Sequence, residues 1–490
     1  MKYKLAVGLE IHVELKTQTK MFCACLNDLG ERHPNVNICP ICMGHPGTLP
    51  TINKQAVESV LRVGLALGGK IPDYSRFDRK NYFYPDLPKG YQISQYKYPL
   101  VNGGTLALPG SGRKIGITRV HLEEDTGRLL HDNADSLVDF NRAGIPLMEL
   151  VTEPDIFSAA EASAFAEEFQ LFLRYLGVSD ADMEKGQMRI EANISLGDST
   201  AKLGVKVEIK NLNSFRTVER AIGYEKERQE KILKSGGKIE QETRGWDDSK
   251  QKTFHQRKKE EAHDYRYFPE PDLPPLNLTK KEDFDLEALK NSLSELPWKK
   301  RERLAKEYNL KGNVLLMAVR ENGLANFLEK SVSELLEWAK DRALTEKDLI
   351  KLAVNYITSD LQALIKEKEG SFSELLITPE NFAELMKMIA KNEISSRAAK
   401  DVLLKMFLSG GDPSEIVESG DLRQISDESQ LKNIIESVIK DNSGPAAEYG
   451  KGKETALQFL VGQVMKKTGG SADPRLAAKM LRERLLISRG

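Results

Sequence analysis

Residues 5–15 read LAVGLEIHVEL. Val7, Leu9, Ile11 and Val13 fall on one face of an extended chain and Glu10, His12 and Glu14 on the other, which is the period of a half-buried strand. The period returns in QMRIEANISL, where Met188, Ile190, Ala192 and Ile194 oppose Arg189, Glu191, Asn193 and Ser195. It returns again in VKVEIKN, where Val205, Val207 and Ile209 oppose Lys206, Glu208 and Lys210. SLGDSTAKLG between the last two is turn-rich and suits a hairpin connection. Strands with one polar face belong to an antiparallel sheet with one wet side, so these segments predict the charged floor of a cleft.

Helical patterns intervene in NKQAVESVLRVGLALGG, in SAAEASAFAEEFQLFLRYLG from Ser158 and in TVERAIGYEKERQEKILKSGG from Thr217, the last two ending at glycine. The expected fold class is therefore α+β, with a cradle-like N-terminal domain on an antiparallel sheet running to about Leu276. Beyond it the sequence is almost wholly helical in pattern. Thr378-Pro379 is an N-cap followed by proline at the first helical position, and Phe382, Leu385, Met386 and Ile389 then form an apolar stripe suited to a bundle core. SELPWKKRERLAKEYNL looks like the hinge, and LSGGDPSE punctuates the helices further on. The expected division is a catalytic cradle at 1–295 carrying a cysteine knuckle at 23–42, a helical domain at 296–405 and a helical tail at 406–490.

Several classes are excluded by composition. At 490 residues the chain exceeds the roughly 250 to 300 at which single cores stop growing, so more than one domain is expected. No run approaches the ~18 consecutive apolar residues of a membrane helix, and the N-terminus lacks a signal peptide's apolar core, so the expected setting is cytoplasmic, with no membrane partner. Lysine plus arginine (72) nearly cancels aspartate plus glutamate (73), so any contact with nucleic acid must come from local patches.

All four cysteines lie in one stretch as Cys23-x-Cys25 and Cys39-x-x-Cys42. In a reducing setting two close pairs suit the tetrahedral preference of zinc, and a closed shell of four thiolates leaves no open position for water, which points to a structural ion. Buried or redox thiols are the alternative. His45 could replace a ligand, although a loop histidine before Pro46 is expected to be exposed.

Two stretches carry more character than packing demands. RFDRKNYFYPDLPKGYQISQY mixes lysines with tyrosines and prolines; Lys80 and Lys89 can meet phosphates and Tyr82 can stack on a base, which makes these three candidates for nucleotide contact. ITRVHLEEDTGR gathers His121, Glu123, Glu124 and Asp125, adjacent acids that repel unless a cation or an arginine neutralises them; a hard dication such as magnesium accepts such oxygen ligands. Glu149 in AGIPLMELVTEPD, with Glu10 and His12, joins that group only if the fold brings them alongside. The usual nucleotide fingerprints are missing: GPAAEYGKGKET has the wrong glycine spacing for a P-loop, and Lys451 is followed by glycine. No nucleophile elbow occurs, and with the cysteines committed to metal no free thiol remains for a glutaminase.

Taken together, VGLEIHVEL, FDRKNYFYPDLPKGYQISQY, RVHLEEDTGR, DFNRAGIPLMELVTEPD, EIKNLNSFRTVERAI and HDYRYFPEPDLPPL resemble the B subunit of the bacterial aspartyl/glutamyl-tRNA amidotransferases. GKGKETALQFLVGQVMKKTGG resembles the end of that family's YqeY-like helical tail. The resemblance implies amidation of glutamate misattached to tRNA(Gln), or of aspartate on tRNA(Asn), with ATP and Mg2+ used to phosphorylate the side-chain carboxylate before ammonia displaces the phosphate. It implies a metal and phosphoryl-transfer site at Glu10, His12, Glu124 and Glu149, with Lys80 as a phosphate contact. Strand parity sets Glu124 opposite His121 and Glu123, which leaves open which acid binds metal. The resemblance also implies an amidase (glutaminase) subunit that supplies ammonia, a small third subunit, a tail that holds tRNA, and Zn2+ on Cys23, Cys25, Cys39 and Cys42. A non-catalytic zinc-containing tRNA-binding protein and a metal-dependent hydrolase using His12 each explain single motifs, and neither explains the ordered set.

Overall fold

Alternation along the opening segment is realised as strand β1 (Lys4–Glu14), in which Leu9, Ile11 and Val13 are fully buried. The computed structural model describes residues 3–132, 135–198, 203–258, 262–340, 345–420, 422–423 and 428–487. Its chain divides into two compact units, Met1–Lys300 and Arg301–Gly490. In the first unit β1 is followed by helix α1 (Lys54–Leu67), strands β2 (Asp78–Asn81), β3 (Tyr91–Ser94), β4 (Val101–Asn102), β5 (Thr105–Ala107), β6 (Lys114–Glu124) and β7 (Pro146–Thr152), and helix α2 (Ala159–Leu176). Then come β8 (Met188–Gly197), β9 (Val207–Leu212), helix α3 (Phe215–Lys234), β10 (Glu242–Asp247), β11 (Lys252–Lys258) and β12 (Phe268–Pro269).

A nine-stranded sheet runs in the order β11-β10-β9-β8-β1-β7-β6-β4, with β5 also paired to β6. Its pairs are antiparallel apart from β9 and β10, which run parallel. The sequence led us to expect an antiparallel sheet; the parallel pair arises because α3 carries the chain back between β9 and β10, as a parallel neighbour requires. The strand expected from Val205 begins at Val207, and residues 199–202 of the expected hairpin connection lie outside the described residues.

One face of this sheet is apolar. Leu9, Ile11 and Val13 join Leu122, Met148, Leu150, Ile190, Ala192 and Ile194 in a buried cluster that Phe165, Phe169 and Phe172 of α2 complete. Each of these side chains larger than alanine, fully withdrawn from water, contributes roughly 1.5–3 kcal/mol. The helices that cover the face are bounded as their sequences imply. Asn53, Ser158 and Ser214 cap the N-termini through their side chains, and α2 ends on Gly177 at φ 66°, a conformation that costs glycine little. With the apolar face closed, every even-numbered side chain of β1 must face the other way.

That second face carries the charges in register. His12 stands opposite Glu149 of β7 on one side and Arg189 of β8 on the other, and Glu149 stands opposite His121 of β6. The row His121–Glu149–His12–Arg189 thus crosses four strands. Along the edge of β6 the hairpin β2–β3, extended by β12, forms a separate three-stranded sheet. Arg79 fastens β2 with a bidentate ion pair to the buried Glu270, at 2.7 and 2.8 Å.

The second unit is helical. Thr378 caps Pro379–Ala390 by accepting a hydrogen bond from the Asn381 N–H, and Phe382, Leu385 and Met386 are fully buried, as bundle core. Towards the C-terminus Leu431, Ile435, Leu457, Leu460, Val464 and Leu481 form an apolar cluster of their own. Among the described residues no helix is long and apolar enough to cross a membrane.

Candidate active site

The charged row of the sheet closes into a cluster because its strands are adjacent and its side chains are long. His12 Nε2 lies 3.3 Å from Glu149, 3.7 Å from Glu123 and 3.9 Å from Glu10, while His121 Nε2 lies 3.4 Å from Glu149 and 3.7 Å from Glu123. One oxygen of Glu149 therefore sits between two imidazoles. The Ser94 hydroxyl donates to Glu123 at 2.9 Å, and Arg119 approaches Glu149 at 3.6 Å.

Crowding of this kind displaces the titrations. Burial pushes the Glu10 carboxyl up to about 7, with Glu149 and Glu191 adding to the effect. Burial opposes the charged form of His12, but the hydrogen bond and charge of Glu149, with Glu123 and Glu10, outweigh it and hold the imidazolium up to about 9. Burial likewise works against ionised Glu149 and Glu123, yet the histidines keep both below the usual carboxylate range. Farther along β1, burial and the neighbouring Asp125 raise Glu14 to about 8; Asp125 accepts from Arg189 at 2.8 Å, and Arg142 bonds both acids.

The hairpin supplies one wall. Lys80 Nζ lies 4.8 Å from the ring centre of Tyr265 and 5.7 Å from that of Tyr82, and Glu123 is the foremost charge holding it protonated against the cost of burial. Tyr96 and Tyr267 stack with ring centres 4.4 Å apart. The resulting cleft has a volume of about 450 Å³ and is lined by the acids Glu10, Glu123, Glu149 and Glu208 and by the cations Lys80, Arg119, Lys206 and Lys210. Acids grouped at one point with cations around them suit a metal-bound polyphosphate.

The family described as the GatB/GatE catalytic domain matches residues 5–282, and the one described as the GatB domain matches residues 341–485. Relatives named as the B subunit of aspartyl/glutamyl-tRNA(Asn/Gln) amidotransferase share 45% identity in Caldanaerobacter subterraneus subsp. tengcongensis, over 99% of this chain and 100% of the relative, and 46% in Persephonella marina, over the same shares. A third, from Crocosphaera subtropica, shares 43% over 99% of this chain and 98% of its own length. This chain belongs to the GatB family.

Of the residues singled out by sequence, this GatB chain brings Glu10, His12, Glu149 and Lys80 to the cleft and does not bring Glu124 or Lys89 there. Glu124 is at the end of β6, one step out of phase with His121 and Glu123, so it points to the apolar side. There Lys89 bonds its carboxylate at 2.6 Å, the Ile93 N–H donates to it at 2.9 Å, and the pair lines a separate pocket of about 230 Å³ beside Cys23, Cys42 and Gly144. Glu123 stands in the cleft where Glu124 was expected. Tyr82 is beside Lys80, with its ring edge-on to Tyr265 and its hydroxyl 3.4 Å from Gln92. Lys210 lines the cleft, as the charged floor expected from VKVEIKN implies, whereas Arg119 and Tyr267 were not singled out for it, although the parity of RVHLEE already sets Arg119 on the face of His121 and Glu123.

The donor sets fit the implied ions. Ligand atoms of Glu10, His12 and Glu149 lie within 4.8 Å of one another, as do those of His121, Glu123 and Glu149, so Glu149 is common to two possible dication sites. Each set offers two carboxylates and one imidazole, which magnesium or manganese accepts. The four sulfurs of Cys23, Cys25, Cys39 and Cys42 also lie within 4.8 Å of one another, and Cys39 and Cys42 are 3.9 Å apart, close to the ~3.8 Å edge of a tetrahedron with bonds of about 2.3 Å. The Cys39 N–H donates to Cys42 at 3.2 Å. A hydrogen bond from Cys23, this N–H and nearby Lys20 hold the Cys42 thiol down to about 4, although burial opposes its charge, while burial pushes Cys25 up to about 11. His45 is exposed and outside this group.

Proposed function

We propose that this chain is the ATP-using subunit of an amidotransferase that converts Glu-tRNA(Gln), Asp-tRNA(Asn) or both to the cognate amides. The observation that carries the reading is the convergence of Glu10, Glu123, His121 and Glu149 with Lys80 and Arg119 around one cleft, with His12 packed against its acids.

In this reading the side-chain carboxylate of the esterified amino acid attacks the γ-phosphorus of ATP. The bond from that phosphorus to the bridging oxygen breaks, ADP departs with the electron pair, and an acyl phosphate remains. Ammonia then adds to the acyl carbon, the carbon–oxygen bond to phosphate breaks, and the nitrogen loses a proton as inorganic phosphate leaves. Glu149 with Glu10 and His12, or with Glu123 and His121, would hold a magnesium ion, which would neutralise charge on the transferring phosphoryl group. Lys80 and Arg119 are placed to hold the nonbridging oxygens. An amidase (glutaminase) subunit supplies ammonia and a small third subunit finishes the assembly, in the cytoplasm. The reading also assigns the cradle to 1–295, a helical domain to 296–405 and a tRNA-holding tail to 406–490, with structural zinc on the four cysteines.

The test is reconstitution with the amidase partner, misacylated tRNA carrying 18O in its side-chain carboxylate, ATP and glutamine. Transfer of one labelled oxygen to inorganic phosphate for each amide formed is expected. Amide formation with unlabelled phosphate would overturn the acyl-phosphate route.

A further inference from the structure

Among the acids of the cleft Glu123 acts most strongly on Lys80, yet the two do not form an ion pair. Burial disfavours the charge of Lys80 and Glu123 is the foremost charge sustaining it, but Lys80 has no ion-pair partner among the described residues and lies against the rings of Tyr265 and Tyr82. An ammonium and a carboxylate that share a buried cleft attract each other strongly and close into a pair unless one of them is held back. Lys80 sits on a flexible stem, so the restraint has to act on Glu123.

The restraint comes from the hairpin that carries Lys80. Ser94 of β3 is almost wholly buried, and its hydroxyl donates to Glu123 Oε2 at 2.9 Å. That same oxygen lies 3.7 Å from His121 Nε2, and the other, Oε1, lies 3.7 Å from His12 Nε2. With Oε2 tied to Ser94, both oxygens of Glu123 therefore stay beside imidazoles.

Ser94 is itself held in place, although β3 and β6 belong to different sheets. On one side of it Gln92 Nε2 donates to the Glu124 carbonyl at 2.7 Å and the Ile93 N–H to the Glu124 carboxylate at 2.9 Å. On the other side Gln95 Oε1 accepts from the Leu122 N–H at 3.0 Å. Within the hairpin Ser94 stands opposite Asp78 and Lys80 opposite Gln92, so Ser94 and Lys80 share one face, and both line the cleft. One short strand thus fixes the acid and, through its partner strand, presents the cation.

We propose that Ser94 is a positioning residue for phosphoryl transfer, whose hydroxyl holds Glu123 beside His121 and His12 and off Lys80. Glu123 then stays available to a dication and Lys80 to a phosphate oxygen. The proposal rests on the phosphoryl-transfer reading above and adds to it what keeps the acid and the cation apart. Threonine at this position keeps the donor, whereas alanine frees Glu123 to swing to Lys80.

The experiment uses the full chain. Mn2+ is titrated by electron paramagnetic resonance for the wild type, Ser94→Ala, Ser94→Thr, Lys80→Met and the double variant Ser94→Ala/Lys80→Met, with Tm as the check on folding; Ser94→Cys stands in if Ser94→Ala fails it. Ser94→Ala is expected to weaken Mn2+ binding by about tenfold or more and Ser94→Thr to stay within about threefold of the wild type. Lys80→Met is expected to strengthen binding by a factor about fivefold larger in the Ser94→Ala background than in the wild type, because only there does Lys80 compete for Glu123. Equal Mn2+ affinities in folded Ser94→Ala and the wild type overturn the proposal, as does a Ser94→Thr chain as weak as Ser94→Ala. A Lys80→Met factor that is the same in both backgrounds overturns it too, since the hydroxyl would then act without holding Glu123 off Lys80. A wild-type chain that binds no Mn2+ overturns the dication reading itself.

Discussion

Replacing Glu149 by glutamine removes the charge that lies between His12 and His121 while keeping the side chain's size. Raising an imidazole from 6.5 to about 9 corresponds to roughly 3 kcal/mol in favour of its charged form, and burial pulls the other way, so the acids around His12 contribute more than that. Glu149 is the foremost of them, acting through both a hydrogen bond and its charge. With glutamine in its place burial dominates, and the His12 titration is expected to fall to 7 or below. The assay is NMR titration of ring-labelled histidine in the metal-free chain. A stability change accompanies it: the contribution of a raised imidazole is fully present below about 6.5 and is lost as the pH climbs through about 9, so the metal-free wild type loses up to about 3 kcal/mol over that window and Glu149→Gln does not. A His12 midpoint still near 9 in the variant would refute the reasoning, since the acids would then not be its cause.

Glu123→Gln is expected to lower amidation by about a hundredfold or more, whereas Glu124→Gln leaves Mn2+ affinity at the cleft within about threefold because its carboxylate is engaged by Lys89 on the far face; equal losses of Mn2+ affinity would contradict this placement. Because His12 must shed its proton to bind a metal, Mn2+ affinity is expected to rise between pH 6 and 9 with proton release, which calorimetry in two buffers measures; no release would count against His12 as a ligand. Stripping metal from the knuckle, or Cys39→Ala, is expected to lower Tm by roughly 5 °C or more and to leave nucleotide affinity unchanged; an unaltered Tm would count against a structural ion. Phe169→Ala, in the core under the sheet, is expected to cost about 3–5 kcal/mol by denaturant titration.

Strand parity made the floor of the cleft legible in the sequence. LAVGLEIHVEL and QMRIEANISL each assign every side chain to a face, and the structure puts Glu10 and His12 together for that reason. Parity also separates Glu124 from Glu123, but the carry-over from the family chose between them where the strand ends, and there only the register Pro146↔Glu124 with Leu147↔Glu123 decides. Lys80 and Lys89 are near neighbours in one motif, yet they meet different acids because Lys80 is on β2 whereas Lys89 lies in the connection between β2 and β3, where it reaches Glu124. The cysteine knuckle was the easiest feature to read, since its spacing alone implies the convergence that the sulfurs display.

The central claim is that a dication bridges Glu149 to its neighbours in the cleft, and crystals of the chain soaked with MnCl2 and measured at the manganese edge test it most directly. The account predicts the dominant anomalous peak about 2.1 Å from a Glu149 oxygen, shared with Glu10 and His12 or with Glu123 and His121. A dominant peak beside Glu124 and Lys89, with nothing bound at Glu149, would contradict it.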